Sequence, residues 1–122
     1  MFSEACPTMA DNYNRNFGTS PNFKWVLDTS LSSSQTMVVD WAEENPRSAK
    51  YLPFNFTRVI NNGEDDIWFY ANQNDNDAHR IPAGTIFTFD SSSIPALSSF
   101  KIENGGSSTI SSGKIVISNH NE

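Results

Sequence analysis

From residue 35 onward the chain is divided into short apolar runs, most of them alternating, with Pro, Gly and Asn between one run and the next. Alternation with period two sends successive side chains to opposite faces of a strand. Runs this short, punctuated this often, favour an antiparallel sheet over long helices. In QTMVVDWAE, Met37, Val39 and Trp41 point one way and Thr36, Val38 and Asp40 the other. FNFTRVI (54–60) resumes the alternation, with Phe54, Phe56 and Ile60 set against Asn55, Thr57 and Val59. IWFYAN (67–72) is apolar on both faces, as a buried central strand would be. TIFTFD (85–90), FKIEN (100–104), STI (108–110) and KIVIS (114–118) complete the set. The spacing predicts an all-β fold: a single antiparallel β-sandwich or jelly-roll of about seven short strands, with no convincing helix.

The connections carry their own signals. NNGEDD (61–66) reads as a tight hairpin, because Asn62-Gly63 readily supplies positive φ. QNDNDAH (73–79) reads as a polar loop, and SSSIPALSS (91–99) as a connection in which Pro95 bars a central strand. RIPAGT gives the sharpest geometric expectation. Pro82 presets φ at about −65°, which suits the first central position of a type I turn over 81–84, with Gly84 left-handed just after it. The buried set expected from these strands is Phe54, Phe56, Ile67, Phe69, Phe87, Phe89, Phe100, Ile102, Ile115 and Ile117.

Residues 1–34 read differently, as an irregular N-terminal arm ahead of a domain over 35–122. Pro7, Gly18, Pro21 and many Asn and Ser residues interrupt them, and only FKWVL (23–27) suggests a strand. Phe2, Tyr13, Phe17, Phe23 and Trp25 make the arm more aromatic than an ordinary disordered segment. These five are the candidate assembly residues, expected to lie on the chain's own domain or on a neighbouring subunit.

Charge and length narrow the partners. A chain of 122 residues suits one domain, and 9 Phe, 3 Trp and 3 Tyr can fill its core. Eight Lys and Arg against 14 Asp and Glu give a net charge of −6, with no cationic cluster. Nucleic acid and anionic membranes are therefore not expected as partners. No apolar run approaches the roughly 18–20 residues of a membrane span, and the first residues lack the basic start and apolar stretch of a signal peptide. Cys6 is the single cysteine, so no intrachain disulfide is expected.

Candidate chemistry is sparse. GGSSTISSGK (105–114) evokes a phosphate loop, but Lys114 is followed by Ile115 and the segment leads into a strand, so it reads as a turn. Glu64, Asp65, Asp66, Asp75 and Asp77 could ligate calcium only if two loops at opposite ends of one strand met; they read as solvated loops. His79 beside Asp77 and the serines 91–93 lack any signal that brings them together. Asn55-Phe56-Thr57 fits a glycosylation acceptor by chance. No catalytic, cofactor-binding or metal-ligating residue is assigned. Trp68 and Tyr70 share one face of their strand, where a sugar-binding module would carry exposed aromatics.

The second half of the chain has a characteristic texture. It runs from Ile67 to Asn72, through Arg80-Ile81-Pro82-Ala83-Gly84-Thr85 to Asp90, then Ile102, Asn104, Gly105, Ile110, Gly113, Ile115 and Ile117. This resembles small β-sandwich structural proteins of bacteriophage and related virus particles. The resemblance implies a non-enzymatic virion component (capsid, decoration, spike or fibre module) that assembles with copies of itself and with other virion proteins. The alternative is a carbohydrate-binding or adhesive sandwich module.

Overall fold

The computed structural model describes residues 20–122, in which eight strands follow one another. They are β1 (Phe23–Val26), β2 (Thr36–Asp40), β3 (Phe56–Asn61), β4 (Ile67–Ala71), β5 (Ala78–Ile81), β6 (Thr85–Phe89), β7 (Ser99–Asn104) and β8 (Ile115–His120). Every pairing is antiparallel, in two four-stranded sheets ordered β1-β8-β3-β6 and β2-β7-β4-β5. Only the β4–β5 connection stays within a sheet; all the others cross from one sheet to the other. Eight antiparallel strands wound in this order over two sheets form a jelly roll.

The core lies between the sheets and is largely aromatic. Trp41, Phe54, Phe69 and Phe100 are fully buried. Trp41 meets Phe54 edge-on at 5.9 Å, Trp25 meets Phe100 edge-on at 5.5 Å, and Phe69 stacks on Phe89 at 5.9 Å. These are favoured ring arrangements and add to the area they bury. Of the ten residues expected inside, eight are buried; Phe56 is half-buried and Phe87 is 37% exposed. Phe87 does point inward, since it pairs with the buried Val59. It sits on β6, an edge strand, where among the described residues no further strand closes the sandwich over it.

Six expectations need correction. The arm does not extend to residue 34. Phe23 and Trp25 lie on β1, which pairs with β8, and both are buried in this domain's own core. Leu27 and Leu31 are fully buried as well, and Leu31 bridges Ile110. Phe2, Tyr13 and Phe17 lie outside the described residues.

The Asn62-Gly63 segment is not a hairpin, because β3 and β4 belong to different sheets and neither residue has positive φ. The face of β3 is also reversed: Thr57, Val59 and Asn61 are inside, not Phe56 and Ile60. The two polar side chains on that face are hydrogen-bonded inside: Asn61 Nδ2 donates to Ile81 O, and Thr57 Oγ1 accepts from Asn119 Nδ2.

The polar loop before Arg80 contains the first half of β5, Ala78 and His79, which pairs with β4. At the following bend, the turn residues are Ala83 and Gly84 rather than Pro82 and Ala83. Gly84 is left-handed as expected, at φ +80°, but it occupies the second central position, where a type II turn requires positive φ. Finally, one turn of α-helix (Trp41–Glu44) and a 3₁₀ segment (Pro46–Tyr51) link β2 to β3. Asp40 caps the first by accepting from Ala42 N, and Asn45 caps the second by accepting from Arg47 N.

Candidate functional site

With the interior filled by rings, the surfaces a partner can reach are the two outer sheet faces, the edges and the loops. The first sheet carries an apolar row. Val26 pairs with Val116, Val116 with Ile60, and Ile60 with Ile86, so four aliphatic side chains cross all four strands on the solvent side. Val26 is 39% and Ile86 56% exposed. The neighbouring row, Lys24, Ser118, Arg58 and Thr88, is polar and cationic.

The outer face of the second sheet is mixed in character. Trp68 lies between Glu103 on β7 and Arg80 on β5; Tyr70 lies between Lys101 and Ala78. Three of these side chains, Glu103, Tyr70 and Lys101, are tied together. The Tyr70 hydroxyl donates to Glu103 Oε1 at 2.8 Å, and Lys101 Nζ stands 4.4 Å from the Tyr70 ring centroid. Lys101 also reaches Asp75, and Arg80 donates to Asp66. Burial, then the carboxylate of Glu103, push the Tyr70 phenol up to about 12. IWFYAN is therefore not buried on both faces: Ile67, Phe69 and Ala71 are inside, whereas Trp68 is 36% exposed.

Two loops at one end of the sandwich share a device that the sequence reading missed. Asn61 Oδ1 accepts from Gly63 N, while its Nδ2 donates to Asp65 O and Ile81 O. Asn104 repeats this in detail, accepting from Gly106 N and donating to Ser108 O and Leu31 O. Each buried amide thus closes its own Asn-x-Gly turn and ties it to a distant strand or bridge. The signal was the spacing itself, since Asn-Asn-Gly and Asn-Gly-Gly each end a strand that crosses to the other sheet.

The acidic loops serve the same end. Asp65 accepts from Ser108 N and Asp66 N, Asp66 from Ala83 N, and Glu64 from the Ser111 hydroxyl and Ser111 N. These hydrogen bonds hold the three carboxyls below the usual carboxylate range. Asp75 and Asp77 sit beyond the other end of β4 and engage Lys101 and His79 instead. Among the described residues no three His, Cys, Asp or Glu side chains converge on a metal position. The Ser92 hydroxyl donates to Asp90 at 2.6 Å, not to His79. The 105–114 segment runs between two strands, with Gly113 at φ +83°, and no helix follows it.

A cleft of about 310 Å³ opens beside the start of β1, lined by Pro21, Phe23, Pro46, Lys50 and Tyr51. Comparison of the chain with protein-family models, with curated proteins and with solved structures returned no match.

Proposed function

We propose that this chain is a non-enzymatic structural subunit of a virus particle that acts by assembling with copies of itself and with other virion proteins. The apolar row Val26–Val116–Ile60–Ile86 carries the reading. It crosses all four strands of the sheet, and an exposed apolar row of this kind is shielded from water when a second copy covers it. The jelly-roll winding agrees with the reading, since capsid domains use it, although a fold does not by itself assign a function. So does the resemblance of residues 67–117 to small virion proteins.

The test is the mass of the full chain in solution, measured by sedimentation across a wide concentration range. A multimer is expected, and Ile86→Lys should shift it towards the monomer without loss of the β-sheet signal. A strictly monomeric wild type, or a multimer indifferent to Ile86→Lys, would discard the apolar row as the interface. The particle itself is tested by whether the chain is found in gradient-purified virions.

A further inference from the structure

We infer that the outer face of the second sheet is a binding site for neutral saccharide, built around Trp68. The ring has the placement of a stacking platform. It stands outward on a central strand, 36% exposed, with the backbone beneath it fixed by pairing on both sides. Gly105 lets the ring lie where it does, since a Cβ there would be 3.0 Å from both Cδ1 and Nε1 of Trp68. An indole face offers a flat apolar surface of the size of a pyranose ring, and its edge offers an N–H donor.

Polar groups surround that platform at hydroxyl-binding positions. Glu103 flanks it on one side, one carboxylate oxygen already oriented by the Tyr70 hydroxyl. Arg80 flanks it on the other, its guanidinium anchored to Asp66 and its side chain 62% exposed. A carboxylate and a planar guanidinium on either side of a ring can each take a pair of vicinal sugar hydroxyls. The charge of the face decides the class of sugar. Asp66, Asp75 and Glu103 outnumber Arg80 and Lys101, and both cations are paired to acids. An anionic glycan or a nucleic acid phosphate would meet net repulsion here, so the ligand is uncharged.

The three tryptophans make the test selective. Trp25 and Trp41 are buried, whereas Trp68 is accessible. The full ¹⁵N-labelled chain is titrated with cellohexaose, chitohexaose and mannopentaose at millimolar concentrations, with a heparin hexasaccharide as the anionic control. At least one neutral probe is expected to shift a single indole N–H signal, the one missing from Trp68→Phe. Trp68→Ala should weaken that binding at least tenfold, and Arg80→Ala should weaken it while leaving the sheet intact. No indole shift with any neutral probe, binding of the heparin probe alone, or shifts confined to the other two indoles would each overturn the inference. Because the site faces away from the apolar row, a failure here leaves the sedimentation result untouched.

Discussion

The indole Nε1 of Trp41 donates to Asn119 Oδ1 at 2.9 Å, and both residues are fully excluded from solvent. Trp41 follows β2 of one sheet and Asn119 lies on β8 of the other, so the bond joins the two sheets through the core. Asn119 is satisfied on its other side as well, where Nδ2 donates to Phe56 O and Thr57 Oγ1. This amide therefore holds three groups in a space where none could reach water.

Replacing Asn119 with Leu keeps the volume and removes every one of those bonds. The Trp41 indole N–H would remain buried without an acceptor. Urea unfolding should show a loss of about 2–4 kcal/mol, since each orphaned buried group costs about 1–3 kcal/mol. Trp41→Phe in the same background should cost less than it does alone, because the orphaned donor is then gone. Additive losses would mean that the bond does not couple the sheets.

Phe69 and Phe87 are both inward-facing phenylalanines, yet they should respond differently to truncation. Phe69 is fully buried, stacked on Phe89 and packed 5.7 Å from Phe100. Phe69→Ala should cost about 3–5 kcal/mol. Phe87 is 37% exposed at the open edge of β6, so Phe87→Ala should cost well under half as much. Denaturant midpoints of the two variants give the comparison directly, and equal losses would mean that the edge is closed in solution.

Stability should fall at both ends of the pH scale, for opposite reasons. Glu64, Asp65, Asp66 and Asp90 are held below the usual carboxylate range, chiefly by hydrogen bonds from Ser111, Ser108, Ala83 and Ser92. A carboxylate depressed in the folded state stabilises it above the unfolded value, and that contribution is lost as pH falls through the folded value. The loss therefore sets in below about pH 4, and Asp65→Asn should flatten it. Tyr70 acts in the other direction. Its phenol is raised from 10.0 to about 12, so its contribution is intact below pH 10 and disappears as pH rises towards 12. Tyrosinate absorbance in wild type and Tyr70→Phe should reveal that late-titrating phenol.

Much of this fold was legible because β2, β4, β6, β7 and β8 carry alternation or apolar runs that only a sheet explains. The alternation failed on β3, where Phe56 and Ile60 gave the more apolar face but Thr57 and Asn61 are the residues inside. Hydropathy cannot show that Asn61 and Asn119 have partners waiting in the core; those partners come from strands far away in the chain. β5 was hidden for a related reason. Ala78-His79-Arg80 is polar because this edge strand turns only Ile81 fully inward. The arm was drawn too long because β1 is four residues set among Pro and Ser, and its register is fixed by β8, far along the chain, from Val26 with Val116 to Phe23 with Asn119. The aromatic pair at Trp68 and Tyr70 was visible on one face; whether that face was open depended on which strands flanked it.

The glycines of two turns should separate backbone strain from steric conflict. Gly84 is left-handed at φ +80°, with nothing within 4 Å of a Cβ placed there. Its amide donates to Asn61 O at 2.7 Å, which ties the β5–β6 turn to the end of β3. Any side chain at Gly84 therefore pays only for its backbone conformation, about 1–2 kcal/mol, with a β-branched residue at the upper end. Gly84→Val should be clearly worse than Ala83→Ser, which leaves the positive φ on glycine. Gly106 poses the other problem. A Cβ there would lie 1.9 Å from the Asp65 carboxyl carbon, so Asp65 would have to leave Ser108 N and Asp66 N. Gly106→Ala should thus destabilise through Asp65 and reproduce the flattened acid limb of Asp65→Asn, whereas Gly84→Val should lower stability evenly across pH. Thermal midpoints of both variants, measured from pH 3 to about pH 7, distinguish the two. Parallel curves for the pair would show that Gly106 serves its turn in the way Gly84 does and that Asp65 is not its constraint.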